Sequence, residues 1–251
     1  MNAENRFNDL YEIAKKDPNI LGFFLSGSRS KGFQNKFSDY DVYFIVEDNS
    51  IYDYQKKYPK HLYEKIDLMV LSLTEFKELA RWGHDSWLFR YEFAHLHAII
   101  DKNGEIQKII DEKARIPKEN YIEFIEKSLD GYINYVYRSI KCIRDGNFFA
   151  ARLEASFSIP FFFDVIFAIH ERRIRPYYKY LKWEMEKFPL NKLPLNAEEI
   201  IYKINRILDN ADLQTQQDLL RMVEKVLINE GFKKIFTSWE DDFPWMKSFK
   251  I

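Results

Sequence analysis

Residues 20–32 read Ile-Leu-Gly-Phe-Phe-Leu-Ser-Gly-Ser-Arg-Ser-Lys-Gly, and a few positions further on the chain runs Ser38-Asp39-Tyr40-Asp41-Val-Tyr-Phe-Ile-Val46. Residues 20–25 are a short apolar run that breaks into Ser-Gly-Ser, the pattern of a buried strand delivered into a turn. Residues 41–46 form a second such run, closed by Asp48-Asn49-Ser50. Asp39 and Asp41 are two positions apart, so on an extended chain both side chains leave the same face.

Reading outward, residues 3–16 carry Phe7, Leu10, Tyr11 and Ala14 at helical spacing and stop at Asp17-Pro18. Residues 66–71, Ile-Asp-Leu-Met-Val-Leu, read as a third strand with Asp67 between apolar neighbours, and Ser72 or Thr74 caps a helix running towards Ala80. Residues 94–100 are expected to be a fourth strand, ending at Asp101-Lys-Asn-Gly104. From there the periodicity is helical over 105–114, 117–144, 148–170, 197–208 and 212–229, with Pro117 in first-turn position. Pro176, Pro189 and Pro194 leave room between them for one short helix over 178–187. The expected organisation is an α/β unit over 1–116 and a helical unit over 117–251.

A length of 251 residues with 46% hydrophobic and 17% aromatic content describes a packed globular chain. A formal net charge of -1 provides no global basic field, which disfavours an extended nucleic acid as partner. The single Cys142 permits no internal disulfide and fits a reducing, cytoplasmic setting. Residues 2–16 are polar, without the apolar core of a secretion signal. The most apolar stretch, 155–169, is short and is interrupted by Pro160 and Asp164, so it reads as a buried helix rather than a membrane span.

Two same-face carboxylates beside a turn of exposed backbone N–H groups suit a metal-bound nucleoside triphosphate. The acids would hold hard divalent cations such as Mg²⁺, and the turn would hold the phosphates. Asp67, alone in an apolar strand, is costly unless a cation or a hydrogen-bond donor meets it. His95 and His97 would share a strand face, but no third soft ligand lies near them in sequence.

In the order helix, strand, Gly27-Ser28, Gly32, Asp39-Tyr40-Asp41 and Asp67, the chain resembles the DNA polymerase β nucleotidyltransferase superfamily. It is most similar to the antibiotic (aminoglycoside and lincosamide) branch, in which a minimal catalytic domain precedes a helical one. The resemblance implies an α+β fold: a mixed sheet with flanking helices, then an α-helical C-terminal domain. It implies a metal-dependent enzyme that transfers a nucleoside monophosphate, AMP from ATP being the expected case, to a hydroxyl of a small molecule.

On that resemblance Asp39, Asp41 and Asp67 are the catalytic residues and the ligands of two Mg²⁺ ions, with Asp67 either accepting the acceptor's proton or only ligating. Gly27, Ser28, Arg29 and Lys179 are the expected nucleotide-binding residues. Arg172, Arg173 and Arg175 are expected to be a solvated helix end. Glu154 and Asp164 are the candidates to meet a cationic acceptor, though each reads first as a helix-surface or capped polar group. Two alternatives stay open: transfer of AMP to a partner protein, as antitoxin-like nucleotidyltransferases do, and a non-catalytic nucleotide-binding module.

Overall fold

The computed structural model describes residues 2–60 and 62–251. By contacts the chain divides into two compact units, Met1–Ile116 and Pro117–Ile251.

The first unit is built on a four-stranded mixed sheet: β1 (Ile20–Leu25), β2 (Tyr40–Val46), β3 (Ile66–Ser72) and the two-residue β4 (Ile100–Asp101), in the order β3-β2-β1-β4. β1 runs antiparallel to β2 and to β4, whereas β2 and β3 are parallel. A parallel pair needs a crossover rather than a hairpin. Residues 47–65 supply it and include α3 (Ile51–Lys57).

Both faces of the sheet are covered, which is why β1 and β2 read as near-continuous apolar runs. On one face Phe23, Val42, Phe44, Val46, Leu68 and Val70 pack with Leu10 and Ala14 of α1 (Ala3–Lys16) and Tyr54 of α3. On the other, Phe24, Tyr43 and Ile45 pack with Phe76 of α4 (Leu73–Glu78), Phe93, and Ile106 and Ile110 of α5 (Ile106–Lys113). Ser72 caps α4 in a capping box with Glu75, so of the two cap candidates it is Ser72 that acts.

The fourth strand departs from expectation. Residues 85–93 are a 3₁₀ segment, His95 takes a left-handed conformation at φ 64°, and ladder pairing begins only at Ile100. The run 94–99 is therefore a turn packed on the sheet, and His95 and His97 do not share a strand face.

The second unit is helical: α6 (Tyr121–Arg144), α7 (Phe148–Ala168), α8 (Leu181–Lys187), α9 (Ala197–Asn210), α10 (Leu213–Asn229), α11 (Lys233–Thr237) and α12 (Asp242–Ser248), besides a short helical turn, α2 (Gly27–Ser30), in the first unit. α6 and α7 are joined by three residues and pack closely; a Cβ at Gly131 would lie 2.8 Å from Phe161 Cδ1. Two of the three arginines expected at a solvated helix end are instead drawn inward. Arg173 donates to Glu184 at 2.5 Å, and Arg175 donates to Asp164 at 2.8 Å and to the Tyr178 hydroxyl at 2.6 Å. Among the described residues no helix is long and apolar enough to cross a membrane.

Candidate active site

Asp41 is the second residue of β2 and Asp67 the second of β3, and the parallel ladder sets them directly opposite each other. In register, their side chains leave the sheet on the same side. That side carries Tyr43 and Met69, the face opposite Val42, Phe44 and Leu68. Asp67 Oδ1 is buried and has no hydrogen-bond partner among the described residues. A buried carboxylate oxygen beside a second carboxylate is unfavourable by itself and is relieved by a bound cation.

The turn follows from the end of β1. Ser26 donates its N–H to the Asp41 carbonyl at 2.8 Å, which continues the antiparallel pairing one residue past Leu25. Gly27 then turns with φ +65°, and a Cβ built on it would fall 1.8 Å from Asp41 Oδ2. Only glycine fits there, both for the left-handed backbone and for the space the carboxylate occupies. Gly27, Ser28, Arg29 and Ser30 form the single turn α2, and the leading N–H groups of such a turn have no intrahelical acceptors.

Asp39 lies one residue ahead of β2 and is exposed. Its neighbour Arg29 is bound to the loop: Nε donates to the Asp39 carbonyl at 3.0 Å and Nη2 to the Ser38 carbonyl at 2.9 Å. The guanidinium also lies over the Tyr40 ring, 3.8 Å from its centroid. Arg29 thus fixes the entry to β2, and with it the backbone of Asp39. The ladder sets Asp41 opposite Asp67, and Asp39 lies two residues before Asp41 in the loop that Arg29 holds. Among the described residues no group of three or more His, Cys, Asp and Glu stands ready to hold a metal ion.

Lys179 belongs to the helical unit, in a 3₁₀ turn over Tyr178–Tyr180, where it is exposed with its amine 4.7 Å from the Tyr180 ring centroid. Glu154 and Asp164, the carboxylates expected to meet a cationic acceptor, are both paired with arginine. Arg138 reaches Glu154 at 2.6 Å, and Arg175 reaches Asp164. Burial raises the Asp164 pKa to about 6 despite that partner.

One group at the site escaped the sequence reading. Glu92, in the 3₁₀ segment Asp85–Phe93, accepts hydrogen bonds on Oε1 from Ser26 Oγ and from the Tyr43 hydroxyl, each at 2.9 Å. Ser26 and Tyr43 carried a faint signal, as polar groups in apolar strand context. Glu92 carried none, because its partners are 66 and 49 residues away.

A mixed sheet with an acidic pair at one end, a glycine turn against it and a helical second half make an α+β arrangement. The family model of streptomycin adenylyltransferase matches residues 1–70. That span includes Gly27, Ser28, Asp39, Asp41 and Asp67, and the match supports the antibiotic nucleotidyltransferase branch and nucleotidyl transfer in general. Among solved structures, the chain is similar to a nucleotidyltransferase-like protein from Exiguobacterium sibiricum, at 11% identity and a TM-score of 0.43, over 97% of this chain and 77% of that one. No curated protein matches the chain.

Proposed function

We propose that the chain is a metal-dependent transferase that moves a nucleoside monophosphate, AMP from ATP as the expected case, onto a hydroxyl of a small acceptor. The observation that carries this reading is the pairing of Asp41 with Asp67 across the parallel ladder, with Gly27 folded against the Asp41 carboxylate. The orphaned Asp67 oxygen beside Asp41 fits a divalent cation. Asp41 and Asp67 would hold it, with Asp39 as the third ligand, and two Mg²⁺ ions would supply charge neutralisation for the attacking and leaving oxygens.

The chain's own groups do the rest. The N–H groups at the head of α2 and the Ser28 hydroxyl receive the triphosphate, and Gly27 allows its close approach. Arg29 orders the segment that carries Asp39, and its cationic guanidinium would help neutralise the departing pyrophosphate. Asp67 would accept the acceptor's proton or act as a ligand only. Residues 1–116 would form the catalytic domain. Residues 117–251 would bind acceptor and nucleotide, with Lys179 as the candidate cation.

A near-neutral net charge supports a small acceptor over a nucleic acid, and a cytoplasmic setting fits the lone Cys142. Because Glu154 and Asp164 are already neutralised by arginines, neither is available to attract a polycationic acceptor.

The test is incubation with Mg²⁺ and α-labelled nucleoside triphosphates against a panel of hydroxylated small molecules and a cell lysate. Label on a small molecule supports the proposal, and label on a protein band favours the protein-modifying alternative. Nucleotide binding without any turnover favours the non-catalytic one. Pyrophosphate release that survives in Asp41→Asn overturns the assignment of the site.

A further inference from the structure

We propose that Glu92 is a positioning residue that braces the nucleotide turn from both ends; the inference rests on the nucleotidyltransferase reading above. α2 has only four residues, too few for a helix to hold its own shape, so the form of this turn depends on bonds from outside it. Two of those bonds come from one residue.

At the leading end, Ser26 is fully buried and occupies the cap position of α2, yet its hydroxyl makes no cap bond. It donates instead to Glu92 Oε1. At the trailing end, Lys31 is buried, and its amine donates to the Glu92 backbone carbonyl at 3.2 Å. The same Oε1 takes the Tyr43 hydroxyl, and Tyr43 stands two residues beyond Asp41 on the same face of β2. One residue thereby ties the exit of β1, the end of the turn and the strand that carries Asp41, its carboxylate taking Ser26 and Tyr43 and its carbonyl taking Lys31.

The brace itself is anchored. Tyr91 and Phe93, on either side of Glu92, are completely buried. Arg90 is buried too and donates to the Ala80 carbonyl at 3.1 Å, to the Arg115 carbonyl at 2.8 Å and to the Glu112 carbonyl. The side chain therefore projects from a rigid base. Hydroxyls donating to a carboxylate are among the stronger hydrogen bonds, so their loss frees the turn rather than exchanging one geometry for another.

The experiment compares the full chain with Glu92→Ala, Glu92→Gln and Ser26→Ala by two readouts. The first is amide hydrogen exchange over residues 26–32 without nucleotide; the second is steady-state kinetics with Mg²⁺ and triphosphate. Glu92→Ala is expected to speed exchange in the turn about tenfold and to raise KM for the nucleotide about tenfold, with a smaller fall in kcat. Glu92→Gln keeps an acceptor oxygen in place and is expected to recover most of both losses, and Ser26→Ala to show part of them in a chain that keeps its fold.

Unchanged exchange in both Glu92→Ala and Ser26→Ala overturns the brace. So does a Glu92→Gln chain with normal exchange and a collapsed kcat, since that pattern belongs to a group touching the reacting atoms. Because exchange is read on the nucleotide-free chain, a wild type that never turns over any triphosphate overturns the transferase reading alone, and exchange still decides the brace.

Discussion

Gly27 and Asp41 share one space: a Cβ at position 27 would lie 1.8 Å from Asp41 Oδ2 and 2.7 Å from Asp41 Cγ. The glycine is required by the carboxylate as much as by the turn. Gly27→Ala must therefore displace the Asp41 carboxylate or unwind α2, and it adds a left-handed alanine, a strain of about 1 kcal/mol. The expected result is a fall in kcat/KM of about a hundredfold or more with the fold retained. Near-normal kinetics alongside an unchanged circular dichroism spectrum would remove Gly27 from the site.

Asp67→Asn separates stability from function. The Asp67 Oδ1 atom is buried without a partner beside Asp41, so the neutral amide is expected to stabilise the cation-free chain by roughly 1 kcal/mol while abolishing transfer. Mg²⁺ should raise the Tm of the wild type by mass action and leave Asp67→Asn nearly unmoved. Equal Mg²⁺ shifts in the two proteins would place the cation elsewhere.

Arg29→Lys tests the link between the turn and Asp39. A lysine cannot make the two carbonyl bonds and lie flat over Tyr40 at once. Faster amide exchange over residues 33–39 and a loss of about tenfold in kcat/KM are expected. If the substitution changes kinetics but not exchange, Arg29 acts on the nucleotide alone.

Lys113 makes the first unit respond to alkaline pH. Its amine is buried, donating to the Lys77 carbonyl at 2.9 Å and to the Leu79 carbonyl at the end of α4. Burial, and secondarily the charge of Arg90, lower its pKa to about 8 from 10.5. Below pH 8 both folded and unfolded chains hold the proton and folding bears the full cost of burying it. Between pH 8 and 10.5 the unfolded chain keeps a proton that the folded chain has released, so this group's contribution to stability rises with pH. Denaturant unfolding at pH 7.5 and 9.5 should show a rise on the order of 2 kcal/mol in the wild type relative to Lys113→Met. Parallel pH slopes in the two proteins would contradict the assignment.

Much of the fold was readable because it rests on short-range pattern. The runs 20–25, 41–46 and 66–71 became strands within one residue at each end, and the first helix, 3–16, has the expected bounds. The helices after residue 104 agree within a few residues at their ends, but α3, α11 and α12 were not anticipated, being too short for an apolar period to stand out. Residues 94–100 misled because an apolar run alone does not distinguish a strand from a turn buried on a sheet. His95 at positive φ and the late start of the ladder at Ile100 decide for the turn.

The site divides in the same way. Gly27, Ser28, Asp39, Asp41 and Asp67 could be singled out from their order and residue types. Arginines 173 and 175 could not be placed, because their acidic partners, Glu184 and Asp164, are each 11 residues away and invisible to local periodicity.

The sequence by itself determined which segments are extended, which are helical, and that a glycine turn lies between an apolar strand and an acidic one, since backbone φ limits and side-chain period act over a few residues. The tertiary structure alone decided that β2 and β3 run parallel with Asp41 against Asp67, that Arg29 is bound to the carbonyls of residues 38 and 39, and that Glu92 reaches the turn from 66 positions away. Register and long-range hydrogen bonds are settled by which apolar faces close on one another, and no local stretch of chain contains that information.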